Sequence, residues 1–189
     1  TWRALVVEGK LKAGDKVLLL GTGGVSIYAL QIAKAMGAYV AITSSSDEKL
    51  EKAKALGADF IVNYKAEPEW GSAVNAWSGE KGVDHVVEVG GPATLAQSIN
   101  ACRVNGNIVL IGVLTGVKGD VPTAALMAKQ INLKGIIVGS REHQNDFVNA
   151  LEASGIKPVI DTSFSLDELA KAFEYEVNGK HFGKICIDI

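Results

Sequence analysis

The chain has 189 residues, of which 48% are hydrophobic and 21% charged, and its 19 basic and 21 acidic residues give a formal net charge of −2. This near balance excludes a broad electrostatic attraction to nucleic acid or to an anionic membrane surface. No apolar run reaches the roughly 18 residues of a membrane span, so we expect no membrane partner. The two cysteines have no CxxC spacing, which makes a disulfide scaffold or a cysteine-rich zinc site implausible and favours a reduced, cytoplasmic compartment.

Glycine is the unusual component, since 21 of 189 residues is about 11%, against a usual level of roughly 7%. Only 4 residues are proline and no tract is of low complexity, so the glycines do not belong to linkers. The chain begins at Thr1 without an initiator Met, and Trp2, Leu5 and Val6 already follow a helical spacing. We therefore expect a chain that is entered inside a helix, as a piece of a larger protein would be.

Short β-rich runs alternate with longer amphipathic segments along the chain. Lys16–Leu20 is a continuous apolar run, typical of a strand buried on both faces of a parallel sheet. The same patterns predict further strands over 39–42, 59–63, 83–89, 106–111, 133–138 and 184–187. They predict helices over 25–36, 47–56, 69–77, 93–102, 123–129, 142–154 and 166–177. This alternation predicts one α/β domain over 1–189, a doubly wound parallel sheet of the Rossmann type with helices on both faces.

A glycine-rich turn joins the first predicted strand to the first predicted helix. It runs Leu20-Gly21-Thr22-Gly23-Gly24-Val25-Ser26, where a dinucleotide fingerprint must lie. Gly21 permits the tight turn, Gly23 lets the backbone approach a pyrophosphate, and the helix N-terminus offers N–H groups. Ser26 replaces the third glycine of the fingerprint, a packing position that a small side chain can fill. The alternative is a glycine-rich turn that binds nothing.

The end of the second strand indicates which dinucleotide is bound. NAD sites place a carboxylate there, about 20 residues after the glycines, to bind the adenosine ribose. This chain instead has Ser44, Ser45 and Ser46, and its first acid, Asp47, already begins a helix. Hydroxyls with the nearby Lys49 suit a 2′-phosphate, so we expect NADP(H). The alternative is that Ser45 or Ser46 only caps the helix, with Ser45 and Glu48 as a capping box, in which case Ser44 stays free.

Several segments in order resemble the medium-chain dehydrogenase/reductase superfamily, over essentially the whole chain. They are the glycine turn, Ala55–Asp59 (ALGAD), 83–91, Leu110-Ile111-Gly112-Val113 and Phe182-Gly183-Lys184-Ile185. The nearest branch resembles the zinc-type alcohol dehydrogenases, with the NADPH quinone reductases close by. That resemblance implies a C-terminal cofactor-binding domain.

The resemblance also implies which residues contact the cofactor. The pyrophosphate turn corresponds to Gly21, Gly23, Gly24 and Val25. The 2′-phosphate contacts correspond to Ser44, Lys49 and Tyr64, with Ser45 beside them, although Tyr64 fits a packing role equally well. The loop near the adenosine half corresponds to Gly90 and Gly91, and the loop beside the nicotinamide to Gly112, Val113 and Leu114. No catalytic or metal-binding residue is expected in this chain, because His85, His143 and His181 are too scattered to specify a site.

In this family a GroES-like catalytic domain precedes the cofactor domain and supplies zinc, proton-relay groups and most of the substrate pocket. We therefore expect an NADP(H)-binding domain, inactive alone, of an enzyme that moves hydride between nicotinamide and a small-molecule alcohol or carbonyl compound. Two alternatives are the cofactor domain of a zinc-independent quinone or enone reductase, and a non-catalytic NADPH-sensing module. The edge strand at 133–138 resembles the strand through which relatives pair, so we also expect a homodimer.

Overall fold

The computed structural model describes all residues from Thr1 to Ile189. Its strands are β1 Lys16–Leu20, β2 Tyr39–Ser44, β3 Phe60–Asn63, β4 Val83–Glu88, β5 Cys102–Leu110, β6 Asn132–Gly135, β7 Ile160–Ser165 and β8 Lys184–Asp188. Its helices are α1 Gly24–Ala35, α2 Asp47–Ala55, α3 Trp70–Trp77, α4 Pro92–Ala101, α5 Thr123–Ala128, α6 Arg141–Ser154 and α7 Leu169–Val177. A short 3₁₀ turn, Leu166–Glu168, leads into α7.

The first six strands form one parallel sheet in the order β3-β2-β1-β4-β5-β6. From the central strand β1 the chain adds β2 and β3 on one side of the sheet. It then returns to the centre and adds β4, β5 and β6 on the other side. Right-handed crossovers in opposite directions place helices on opposite faces of such a sheet. The prediction of a doubly wound parallel sheet is confirmed.

The central strand β1 supplies side chains to two separate cores, one on each face. Val17 and Leu19 join the core beneath α1 and α2, while Leu18 and Leu20 join the core beneath α3 and α4. All four side chains are buried. The continuous apolar run of β1 is explained by this position, because alternate side chains of a strand point to opposite faces.

The N-terminal segment is helical, as its spacing predicts. Arg3–Glu8 forms a short π-helical segment, and Leu5 is buried in the core beneath α1. None of the helices in the chain combines the length and the apolar character that a crossing of the bilayer requires.

The C-terminal part departs most from the sequence prediction. The predicted edge strand 133–138 is shorter in the structure and ends at Gly135. It cannot extend to Val138, whose φ of +40° no strand accommodates. The strand β7, Ile160–Ser165, is not predicted at all, since its half-exposed residues include Asp, Thr and two Ser. It pairs in parallel with β8 in a separate two-stranded sheet.

The two cysteines differ in reactivity. Cys102 is fully buried, and burial raises the pKa of its thiol to about 12, whereas Cys186 is partly exposed. Because the thiolate is the reactive form, we expect 5,5′-dithiobis(2-nitrobenzoate) at pH 8 to titrate one thiol in the native chain and two after unfolding. Cys186→Ser should abolish the native reaction. Two rapidly reacting thiols in the native chain would contradict the burial of Cys102.

Candidate functional site

The candidate site is the crevice at the carboxyl ends of β1 and β4. These two strands are neighbours in the sheet, and the chain leaves them toward opposite faces. In open α/β sheets, ligands bind at this point, where the strand order reverses. The predicted site residues lie in the segments that follow β1, β2, β3, β4 and β5, so the parallel sheet brings their backbones to one edge.

The glycine turn leaves its backbone open toward this crevice. Gly21 has a φ of +73°, which strains any residue with a side chain, and its N–H donates to Thr43 Oγ1 at 3.2 Å. Gly23 is the N-cap of α1 in an extended conformation, with nothing within 4 Å of where a Cβ atom would sit. A ligand can therefore approach this backbone closely.

Ser26 occupies the place of the third fingerprint glycine without disturbing the packing. Its side chain is 2% exposed, and its Oγ donates to the carbonyl of Leu20 at 2.6 Å. The expectation that a small Ser fits here agrees with this geometry. The hydroxyl also fastens the first turn of α1 to the end of β1.

The N-terminus of α1 is a positively polarised position with no anion of its own. Gly23 provides no side-chain cap, and the first turn contains no acidic residue. Lys184 adds a full positive charge, since a Cβ atom placed on Gly24 would lie 3.0 Å from Lys184 Nζ. Lys184 takes part in none of the eight ion pairs of the chain. A helix N-terminus beside an unpaired ammonium suits a phosphate group.

Lys184 is held there by the C-terminal tail. Gly183 forms an isolated parallel bridge with Gly23, and its N–H donates to the carbonyl of Thr22 at 3.1 Å. The motif Phe182-Gly183-Lys184-Ile185 carries the family resemblance, but no local spacing rule places Lys184 beside a turn so distant in sequence. Sequence reasoning therefore missed this residue as a site residue.

The serines after β2 divide into structural and accessible positions. Ser44 is 3% exposed; its Oγ lies 3.4 Å from Thr22 Oγ1 and accepts the N–H of Ser46 at 3.4 Å. The expectation that Ser44 stays free is therefore wrong in this geometry. The N-cap of α2 is Ser46, whose Oγ accepts the Lys49 N–H at 3.4 Å. Ser45 takes no part in the cap and is half-buried.

Tyr64 and Lys49 lie on either side of this serine run. The Tyr64 N–H donates to the carbonyl of Ser44 at 3.0 Å, and its side chain is 41% exposed. Lys49 Nζ donates to the carbonyl of Gly179 at 2.6 Å, and burial lowers the pKa of this lysine. The ammonium has three hydrogens, so one contact with the tail leaves donors for a ligand. Asp47, the first acid, accepts a hydrogen bond from Asn63 Nδ2 at 2.7 Å.

The loops after β4 and β5 form one hydrogen-bonded unit. The Thr115 N–H donates to the carbonyl of Gly90 at 2.7 Å, and Leu114 donates to that of Val89 at 3.2 Å. Gly112 packs so tightly that a Cβ atom there would lie 2.7 Å from the Val89 carbonyl oxygen. The side chains of Val113 and Leu114 are exposed. The two predicted cofactor loops therefore lie against each other.

Glu88 ends β4 directly beneath these loops and is completely buried. An acid in an apolar strand is costly to bury unless it is paired, and the Glu88 carboxylate accepts several hydrogen bonds. What the sequence does not predict is that every donor comes from the residues that follow Glu88 itself.

A cavity of about 470 Å³ opens beside the ends of β5 and β6. Its lining combines apolar side chains with charged and polar ones. The former include Ile111, Ile136, Val138 and the aromatic side chains of Trp2, Tyr28 and Phe147, and the latter include Arg3, Arg141 and His143. The positive φ of Val138 is a strained backbone conformation for a β-branched residue, of the kind that collects at ligand sites.

His85 and His143 make hydrogen bonds in different parts of the fold. His85 Nε2 lies 3.0 Å from Asp15 Oδ2, and His143 Nδ1 accepts the Ser140 N–H at 3.2 Å at the start of α6. No group of three or more His, Cys, Asp or Glu side chains in the chain is arranged to hold a metal ion.

This sheet order, with a glycine turn at the switch point, defines a cofactor-binding domain of the Rossmann type. The model of the zinc-binding dehydrogenase family matches residues 24–166, which is more than half of the chain. The chain therefore belongs to the zinc-binding dehydrogenase family, the cofactor-binding part of the medium-chain dehydrogenase/reductase superfamily, and the predicted resemblance is confirmed.

Curated relatives include alcohol dehydrogenase-like and quinone oxidoreductase proteins. A zinc-type alcohol dehydrogenase-like protein of Schizosaccharomyces pombe is 45% identical over 187 residues, covering 96% of this chain and 54% of the relative. The quinone oxidoreductase of Homo sapiens is 28% identical over 185 residues, covering 94% of this chain and 55% of the relative. The chain thus spans about half the length of the curated relatives it matches.

Solved structures show the same fold. The crystal structure of a Sinorhizobium meliloti 1021 protein assigned as an alcohol dehydrogenase is 44% identical, with a TM-score of 0.94, covering 100% of this chain and 55% of that one. An NAD-dependent alcohol dehydrogenase is 33% identical, with a TM-score of 0.92 and the same coverage.

Lys184→Met tests the charge at the α1 N-terminus. We expect inorganic pyrophosphate to stabilise the native chain in thermal unfolding, and the substitution to weaken this binding by about tenfold, because a charged hydrogen bond is worth about 1.5–3 kcal/mol. The matched control is Lys81→Met, an exposed lysine on the loop before β4, at the opposite edge of the sheet. Equal pyrophosphate affinity in wild type and Lys184→Met would contradict this assignment.

Proposed function

We propose that the chain is the NADP(H)-binding domain of an alcohol dehydrogenase-like oxidoreductase. The observation that carries the proposal is the uncapped, acid-free N-terminus of α1, set beside Lys184 at the switch point of the sheet. Bound nicotinamide would exchange a hydride at its C4 atom with an alcohol or carbonyl carbon. The residues of this chain bind and orient the cofactor for that exchange.

The pyrophosphate would lie across the glycine turn. The N–H groups of the first turn of α1 and the Lys184 ammonium would bind its oxygens, and Gly23 leaves room for it. The loops that contain Gly90 and Gly112–Leu114 would hold the remainder of the dinucleotide along the crevice. The cavity beside Ile111 and Ile136 would offer room for a further part of the ligand, with apolar side chains on its wall.

The choice of NADP(H) rests on the serine run after β2. A carboxylate at Ser44 would repel a 2′-phosphate, and none is present there. Ser45, Tyr64 and Lys49 offer hydroxyl and ammonium donors around that strand end. One structural neighbour is NAD-dependent by name, so this choice depends on the residues of this chain.

Substrate chemistry would depend on a GroES-like domain that precedes this one in the parent protein. The relatives are about twice as long as the part that this chain matches, and one of them is a zinc-type protein by name. Zinc, acid–base groups and most of the alcohol or carbonyl pocket would belong to that domain, so this chain alone would bind cofactor without turnover.

A zinc-independent quinone or enone reductase is the second candidate, favoured by the quinone oxidoreductase relative. Cys and His ligands in the preceding domain would decide between the two enzymes. A non-catalytic NADPH-sensing module would bind the same cofactor but would gain no activity when joined to a GroES-like domain.

Calorimetric titration with NADPH and NADH tests the cofactor choice. We expect the wild-type chain to prefer NADPH, and Ser44→Asp to weaken NADPH binding by at least about tenfold, because a carboxylate at the end of β2 repels a 2′-phosphate there. Since Ser44 is 3% exposed, the melting temperature of each variant is measured as well. Ser44→Asn is the matched control, because the Asn side chain has the same size as that of Asp but carries no charge. A wild-type chain that prefers NADH would refute the assignment to NADP(H).

We also propose that the protein forms a homodimer through the free edge of β6. This strand pairs only with β5, and Ile137 and Val138 beyond it are 83% and 81% exposed. β6 itself contains Lys134, which is paired with Glu8, so the exposed apolar residues that follow the strand are the part of this edge to which a second copy would pair.

Light scattering at micromolar concentration should therefore give the mass of a dimer. Ile137→Lys should shift the mass toward the monomer because a charge on the edge opposes pairing, whereas Val104→Lys, an exposed apolar position in β5, should not. A wild-type monomer would refute the dimer.

A further inference from the structure

We propose that Glu88 is a positioning residue that holds both cofactor loops in their binding conformation. This inference rests on the proposed function, because it concerns the same crevice, and it assigns a role to a buried carboxylate that binds no ligand itself.

The Glu88 carboxylate is surrounded by donors from the residues that follow it. Oε1 accepts the N–H of Gly90 at 2.8 Å, the N–H of Gly91 at 3.1 Å and the hydroxyl of Thr94 at 2.6 Å. Oε2 accepts the hydroxyl of Ser98, which is itself fully buried. Hydrogen bonds to a carboxylate are stronger than those between neutral groups, so Glu88 fixes the direction of two successive N–H groups in the loop.

These hydrogen bonds require an unusual loop. Gly91 has a φ of +93°, and a Cβ atom on Gly90 would lie 2.3 Å from Thr94 Oγ1. The backbone thus folds back over the end of β4 with its N–H groups directed inward to the carboxylate. The carbonyl oxygen of Gly90 remains available as an acceptor for the loop that follows β5.

That neighbouring loop is fastened through Thr115. Its Oγ1 donates to the carbonyl of Gly90 at 2.9 Å and accepts the N–H of Ala93 at 3.1 Å. The loop after β5 is therefore positioned on the loop after β4, and the latter is positioned on Glu88. A single buried carboxylate thus sets the conformation of both cofactor loops.

The same contacts distinguish the two helix N-termini at the crevice. The N–H of Gly91, the N-cap of α4, donates to Glu88, and the N–H of Ala93 donates to Thr115. At the start of α1, by contrast, Gly23 offers no side-chain acceptor and the first turn contains no acid. An anion already occupies the α4 N-terminus, since Glu88 supplies it from the preceding strand. A phosphate is therefore directed to α1, where the glycine turn and Lys184 lie.

Glu88 also contributes to stability, because its donors are buried with it. Removing the carboxylate would leave the N–H groups of Gly90 and Gly91 and the hydroxyls of Thr94 and Ser98 without this acceptor, which destabilises the fold. A positioning role is therefore tested by cofactor affinity and loop exchange measured beside the melting temperature.

The experiment compares variants by calorimetric titration with NADPH, together with hydrogen exchange of the Gly90, Gly91 and Thr115 amides. Glu88→Leu should weaken NADPH binding by about tenfold or more, since small misplacements of binding groups are costly, and should expose the three amides to exchange. Glu88→Gln keeps an acceptor oxygen for the N–H groups of the loop, and the Ser98 hydroxyl can rotate to accept a hydrogen bond from the new amide group. The NADPH affinity of this variant should therefore stay within about threefold of wild type.

Val74→Ala is the matched control for stability, because Val74 is fully buried in α3 within the same core. It should lower the melting temperature without changing the NADPH affinity or the exchange of the loop amides. Should Glu88→Leu fail to fold, Thr115→Val, at an exposed position, removes the two side-chain hydrogen bonds between the loops and keeps the backbone ones. It should weaken NADPH binding severalfold.

The outcomes separate the two proposals. A wild-type chain that binds neither NADPH nor NADH refutes the proposed function, and the role of Glu88 with it. If the wild-type chain binds NADPH and Glu88→Leu binds it equally well, only the positioning role is refuted. Where Glu88→Leu does not fold, equal binding by Thr115→Val refutes it in the same way. The positioning role is also refuted if Val74→Ala loses as much affinity as Glu88→Leu, or if Glu88→Gln binds as weakly as Glu88→Leu.

Discussion

The burial of β1 on both faces is the constraint on which the rest of the structure depends. A strand with no solvent-facing side must be covered by helices on each side, and its two neighbours, β2 and β4, must be reached by crossovers in opposite directions. The segments that leave β1 and β4 consequently separate above the sheet. The crevice between them is thus a product of hydrophobic burial before any ligand is considered.

The distribution of charge makes the two sides of this crevice different. Two helices begin at its rim, and each has a positively polarised N-terminus. At the start of α4, Glu88 and Thr115 accept the N–H groups of Gly91 and Ala93, whereas α1 has neither a side-chain cap nor an acid in its first turn. The crevice is therefore electrostatically asymmetric, and of these two helix N-termini only that of α1 is open to an anion.

The sequence was sufficient for the sheet and the glycine turn because both depend on local patterns. The apolar run of β1 and the position of Gly21 directly after it are set by residues close together in the chain. The position of Ser44 was misjudged because its partner Thr22 belongs to another strand end. The strand β7 and the site residue Lys184 were missed for the same reason, since partners distant in sequence place them.

The bridge between Gly23 and Gly183 joins two segments that lie far apart in the chain. Closing a loop of this length is slow compared with forming the local βα units. The glycine turn can therefore fold before the tail has docked, and only the docked tail brings the Lys184 ammonium to the start of α1. Tail docking thus completes the positive charge at this helix N-terminus late in folding.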